Sequence, residues 1–200
     1  HLLVFGDDQT VFRRLPAQRY CADGGPQVDA RVIQRFDVRL ATRSQKTLRR
    51  DHDFEHPSLR LDSSAGTTAP QALEDYLYPA GFTGRMRGMR LARRGLERHQ
   101  RDRFRALGKS DQPALRSGHF LELRDHPDPA CNDLWLITSV RHEGYQPQVL
   151  EEAGVDAPPF QGYRNRFTAT PWSATYRPAL EHPKPAIHGS QTATVTGPAG

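Results

Sequence analysis

Apolar and polar residues alternate in several short stretches and adopt a helical spacing in one long stretch. Leu2 to Phe5 is a short apolar run closed by Gly6-Asp7-Asp8, a strand followed by a turn. Gly24-Gly25-Pro26 breaks the chain again. From Arg31 to Leu40, Val32, Phe36, Val38 and Leu40 fall on one face and Arg31, Arg35, Asp37 and Arg39 on the other. That period predicts a strand with one wet face; only Ile33 and Gln34 break it. Thr47 to Phe54 is expected to pair with this strand through Ala41-Thr42-Arg43-Ser44-Gln45-Lys46, and Ser63 to Pro70 to be loop.

One helix is predicted, over about Thr83 to Arg105. Thr83 can cap it, Met86, Met89, Ala92 and Leu96 form its narrow apolar stripe, and Gly108 is expected to stop it. Strands dominate after Gly118. His119 to Arg124 and Leu134 to His142 are β-rich and joined by Asp125-His126-Pro127-Asp128-Pro129. Leu134, Leu136 and Val140 share one face and Trp135 and Ile137 the other, so this strand is expected to be covered on both sides. Tyr163 to Ala169 alternates, Pro178, Pro183 and Pro185 mark a stiff linker, and Thr192 to Thr196 reads as a last short strand. The fold class expected is mainly β with one long α-helix.

Composition bounds the size of the core. Ala, Val, Ile, Leu, Met, Phe, Trp, Cys and Gly make up 82 of 200 residues. This is slightly below the usual share of roughly 45–50%, as expected of a subunit that completes its burial against neighbours. The net charge is +5, from 25 Arg and 3 Lys against 23 acids. Nine arginines lie between Arg85 and Arg105. Such a run can grip phosphates, lie on a membrane or form a solvated face whose stems cover the core edge; the last is the expected reading. Two cysteines, Cys21 and Cys131, make no disulfide framework. No apolar run approaches the roughly 18 residues needed to span a bilayer.

Catalytic patterns fail on context. His52-Asp53-Phe54-Glu55-His56 fits H-x-x-E-H, which needs both imidazoles on one helix face. Pro57 disfavours helix at His56, and on a strand the two histidines would stand roughly 13 Å apart. Gly108-Lys109-Ser110 ends like a phosphate-binding loop, but Arg103 stands where its first glycine belongs. There is no G-x-S-x-G, and His99, His119, His126 and His142 are scattered. No catalytic, cofactor-binding or metal residue is assigned.

Three long strings carry a family resemblance: Ser110-Asp111-Gln112-Pro113-Ala114-Leu115-Arg116-Ser117-Gly118-His119-Phe120, then Phe160-Gln161-Gly162-Tyr163-Arg164-Asn165-Arg166-Phe167, then the closing Gly189 to Gly200. Shorter ones are His1 to Asp8, Asp51 to Pro57, Asn132 to Leu136 and Arg141 to Gly144. In this order they resemble VgrG, the valine-glycine-repeat spike proteins of bacterial type VI secretion, relatives of the phage tail hub (late control protein D) fused to a needle. The resemblance implies tail-hub-like β-barrels. It divides the chain into the end of a preceding hub segment (1–30), a barrel region with an inserted helix (31–180), and a linker with the first strand of a truncated needle domain of the oligonucleotide-binding (OB) type (181–200). The start without Met and the stop at the needle then read as an excised fragment.

The function implied is structural, without turnover or cofactor. The full-length protein would be a homotrimer that caps a hexameric inner-tube protein, meets effector and baseplate proteins, and is made in the cytoplasm and injected into target cells. Neither specific nucleic acid nor stable membrane insertion is implied. A phage tail baseplate hub and a nucleic-acid-binding β-barrel are the alternatives.

Overall fold

The computed structural model describes residues 8–22, 30–145 and 162–182, with Gly6, Pro185, Gly189, Ser190, Thr192, Thr194, Thr196 and Gly197. The strand expected at Leu2 to Phe5 and the break at Gly24 to Pro26 lie outside the described residues. Of Thr192 to Thr196 only alternate residues are described, and those are not in a strand.

The elements in chain order are β1 (Arg13–Arg14), β2 (Gln18–Arg19), β3 (Ile33–Leu40), β4 (Lys46–Asp51), β5 (Leu61–Gly66), β6 (Glu74–Leu77), α1 (Arg85–Arg103), β7 (Phe104–Ser110), β8 (His119–Arg124), β9 (Leu134–Tyr145) and β10 (Gly162–Pro171). Single 3-10 turns lie at Gln9–Val11 and Pro129–Cys131. The main sheet runs β8-β9-β10-β7-β3, every pair antiparallel, and β1 and β2 lie parallel to β8.

Tyr20 closes this sheet. Its N–H donates to Arg124 O (2.8 Å) on one side, and on the other it forms a parallel bridge to Ile33, where Cys21 N–H donates to Ile33 O (2.9 Å). The edge strand β3 thereby meets the β2 side, and the sheet becomes a barrel. Two β-bulges supply local twist, because an extra residue bends its strand. Gln34 is the extra residue of β3, between Ile33↔Ser110 and Arg35↔Lys109, and Thr138 is that of β9, between Ile137↔Ala169 and Ser139↔Thr168. The break in alternation at Ile33 and Gln34 is thus a bulge. Because of it Ile33 joins Phe36 in the core, whereas Val38 and Leu40, expected on the buried face, are 39% and 66% exposed.

The barrel core contains Ile33, Phe36, Ala106, Leu115, Leu121, Leu123, Trp135, Ile137, Phe167 and Ala169. Phe36 packs edge-on against Trp135, ring centroids 5.0 Å apart, and Trp135 Nε1 donates to Cys131 O (2.9 Å). Trp135, Leu136 and Ile137 are consecutive and all buried, so β9 is covered on both faces as its sequence indicated.

Residues 41–103 form a second layer inserted between β3 and β7. There β4 pairs antiparallel with β5 and parallel with β6, and α1 packs on β4 and β5. Several expectations are corrected in this layer. The segment from Thr47 pairs with β5 and β6 and not with β3, whose partner is β7, and it ends as a strand at Asp51. Ser63 to Gly66 belongs to β5, because small side chains there let the helix approach: Ser63 is buried beside Gly88 and Phe82. The helix begins after Gly84, and Thr83 does not cap it. It ends at Arg103 and not at Gly108; Ala41 N–H donates to Arg103 O (2.9 Å), and pairing with β3 takes over from Phe104.

Gly108 has a different purpose. It lies opposite both Phe36 and Phe167, and a Cβ there would land in the ring of Phe167. Gly108→Val is expected to lower stability by about 2–3 kcal/mol through overpacking. Gly144→Ala, where the added carbon would meet only Gly162 O at 3.9 Å, should leave it nearly unchanged. Urea denaturation checks both, and equal midpoints would contradict the packing described.

Candidate functional site

The two long central strings of the sequence meet at one end of the barrel. Ser110 ends β7, and its Oγ donates to Val32 O (2.9 Å) and accepts from Gln112 N–H (2.9 Å). Asp111 Oδ1 accepts from Val32 N–H (2.8 Å). From β10, the fully buried Asn165 donates through Nδ2 to Gln112 O (2.8 Å). These polar residues tie the β7–β8 connection to β3 and β10. Their role is to hold backbone.

The inserted layer has a second polar centre. Arg49 of β4 is buried; its Nη1 donates to Leu48 O (3.0 Å) and Asp75 O (2.8 Å), and its Nη2 to Asp75 Oδ2 (2.6 Å). His99 of α1 meets the same Asp75 oxygen through Nε2 at 2.9 Å. One carboxylate therefore joins β4, β6 and α1. Burial pushes the Asp75 carboxyl up, but the hydrogen bonds from Arg49 and His99 and their charge outweigh it and hold it below its ordinary value. Thr47 Oγ1 adds a buried bond to Ala92 O (2.7 Å).

This geometry needs a helix face without bulk. The face buried on the sheet is Gly88, Ala92 and Gly95; Met86 and Met89, expected in the buried stripe, are 74% and 51% exposed. A Cβ at Gly88 would lie 2.5 Å from Phe82 and Ser63, and one at Gly95 2.6 Å from Arg49 Nη2. Leu96 is only partly buried. The sequence signal for this seam was the small-residue spacing of four and three.

At the far end of α1 the buried Glu97 pairs with Arg93 (3.0 Å) and with Arg177 (2.6 Å) beyond β10. Arg98 Nε donates to Pro178 O (3.3 Å), and Arg101 lies over the Tyr176 ring. Gln9 donates to Trp172 O (2.5 Å) and accepts from Tyr176 N–H (3.2 Å). The segment leaving the barrel is thus pinned between α1 and the first turn of the chain.

The residues weighed for chemistry are placed as follows. His52 to Pro57 is a turn, not a strand; His52 meets Phe54 edge-on, and the ligand atoms that gather within 4.8 Å of one another belong to Asp53, Glu55 and His56. Their contacts are local: Asp53 accepts from Glu55 N–H (3.0 Å) and meets His56 Nδ1 (3.1 Å). The scattered histidines have separate partners, His99 with Asp75, His119 with Ser117 O, His126 with Tyr20, and His142 with Tyr163. Cys131 is buried; burial first, then Asp128, pushes its thiol up and away from reactivity. Among the described residues no nucleophile, base and orienting group come together.

The sequence pattern of the phage tail baseplate hub (GPD) family matches residues 1–148. The chain belongs to that family. Over its whole length it is 55% and 54% identical to two Pseudomonas aeruginosa proteins, the type VI secretion system spike proteins VgrG4b and VgrG5. The chain spans about a quarter of those relatives, 26% and 27%. In fold it is similar to the 43 kDa tail protein of prophage MuSo2 from Shewanella oneidensis, at 8% identity and TM-score 0.57, over 82% of this chain and 46% of that one. The resemblance carried by the sequence strings and the mainly β hub fold with its single helix both hold. No helix among the described residues is long and apolar enough to cross a membrane.

Asp75→Asn should cost the hub roughly 2–3 kcal/mol at neutral pH, below the 3–5 of a wholly buried pair because Asp75 is partly exposed. A depressed carboxyl stabilises above its unfolded value of about 3.9, and that stability is lost as pH falls below it. The wild type should therefore lose more stability between about pH 6 and pH 3 than Asp75→Asn. Parallel pH–stability curves would contradict this role of Asp75.

Proposed function

We propose that this chain is the hub portion of a type VI secretion spike protein. The observation that carries the reading is 55% identity, sustained along all of the chain, to a protein that bears that name. In this reading three copies of the complete protein build a ring that caps a hexameric inner-tube protein. The barrel and its inserted layer form the ring wall, and residues 181–200 lead into an OB-like needle domain. Residues 31–180 are the hub region, and 1–30 close the segment before it, although β1 and β2 also complete the barrel.

The work of the protein is mechanical. It transmits force, helps puncture a target cell and delivers effectors, with no reaction, metal or cofactor of its own. The polar contacts support this reading, since Arg49, Ser110 and Asn165 hold backbone and the Asp75 carboxylate holds Arg49 and His99. The pinned segment 172–178 supports it too, as a fixed path by which load on a needle reaches the barrel. A phage tail hub is the nearer alternative, and the fold shared with the prophage protein is consistent with it.

Light scattering tests the assembly. Residues 1–200 alone should be monomeric or weakly associated, because ring contacts between polar hub surfaces are wet and small. The complete protein should have the mass of a trimer. A monomeric complete protein would contradict the proposal.

A further inference from the structure

We propose that the outer face of α1 is a docking surface for an acidic protein. The 19 residues of α1 hold eight arginines against Glu97 and Asp102, a net of +6. The whole chain is +5, so its other 181 residues sum to one negative charge. The basic character of this protein is therefore that of a single helix.

Within the helix the charge is again uneven. Toward its C-terminal half, Arg93 pairs with Glu97 and Arg101 with Asp102. Arg85, Arg87, Arg90 and Arg94 are exposed and have no carboxylate partner among the described residues. The first turn contains no acid, and Gly84 offers no side-chain cap. Like charges at spacings of three and four repel, and arginines at a helix N-terminus oppose the macrodipole. The isolated molecule is destabilised by this arrangement, and an acidic surface laid against it relieves the cost.

Met86 and Met89 stand among these arginines, 74% and 51% exposed, while the face that binds the sheet is Gly88, Ala92 and Gly95. The methionines are free to fill an irregular apolar recess on a partner. The complementary surface is thus acidic at its rim and apolar at its centre, which describes a folded protein. Nucleic acid fits less well, since α1 has no Phe, Tyr or Trp on which a base can stack and its His99 is held by Asp75. Two methionines without Trp or Phe are a poor membrane anchor. The inference does not rest on the hub reading.

The test uses the complete protein and three probes: a labelled helical peptide with glutamates flanking a leucine stripe, a DNA duplex, and vesicles containing phosphatidylglycerol. The peptide should bind more tightly than the other two and weaken as salt rises from about 50 to 300 mM. Arg87→Glu with Arg90→Glu should weaken peptide binding by about tenfold or more, and the neutral pair Arg87→Gln with Arg90→Gln by less. Met86→Gln with Met89→Gln should weaken it several-fold. Melting temperatures should not fall in any variant, because the four side chains are exposed. No peptide binding, binding indifferent to the variants, or tighter binding of DNA or vesicles would overturn the proposal.

Discussion

The pairing of β3 with β7 is the constraint on which the rest of the molecule depends. These strands are neighbours in the barrel although 63 residues separate them, from Ala41 to Arg103. Leu40 lies opposite Phe104, and the Ala41 N–H to Arg103 O bond draws both ends of the insertion together. The inserted layer can therefore be complete in itself without opening the barrel. Closure at the other edge of β3 is slighter, a single bridge at Tyr20, so β3 carries the barrel on one side and the insertion at its end.

Two different chemistries stabilise the two parts. The barrel is filled by aromatic and aliphatic side chains, with Gly108 leaving room for Phe167 and the Ser110, Asp111 and Asn165 bonds sealing one end. The inserted layer has little apolar substance of its own. It is held by close approach of Gly88, Ala92 and Gly95 to the sheet and by Arg49, Asp75 and His99 beneath them. Such a seam is specific because the bonds of Thr47, Arg49, Asp75 and His99 form only at one separation of helix and sheet.

The mainly β character was legible in the sequence because the strands alternate and β9 is apolar on both faces; the barrel was legible only through the family resemblance of the strings. The extent of the helix was legible to within a few residues from its spacing. What was not legible depends on tertiary context. A bulge at Gln34 brings Ile33 onto the core face with Phe36. Val38 and Leu40, on that same face, run out past the core to an exposed end where Leu40 lies opposite the exposed Phe104; no period along the chain reveals either in advance. Pairing of β3 with β7 across 63 residues is less evident than a hairpin with the next strand. The Met86–Met89 stripe misled because methionine usually marks a core, whereas here glycine and alanine do. The motif at His52 to His56 was rightly doubted as a helical site, but its turn geometry, which gathers Asp53, Glu55 and His56, needed coordinates.

The hub reading makes one geometric demand: the barrels of different copies must stand side by side about a common axis, with their C-terminal segments converging on it. Electron microscopy of the complete protein shows this directly. The account predicts class averages with threefold symmetry, a ring of barrels and a single rod leaving it, with residues 172–178 on the rod side. Separate barrels on flexible tethers, or an even-numbered assembly with no central rod, would contradict it.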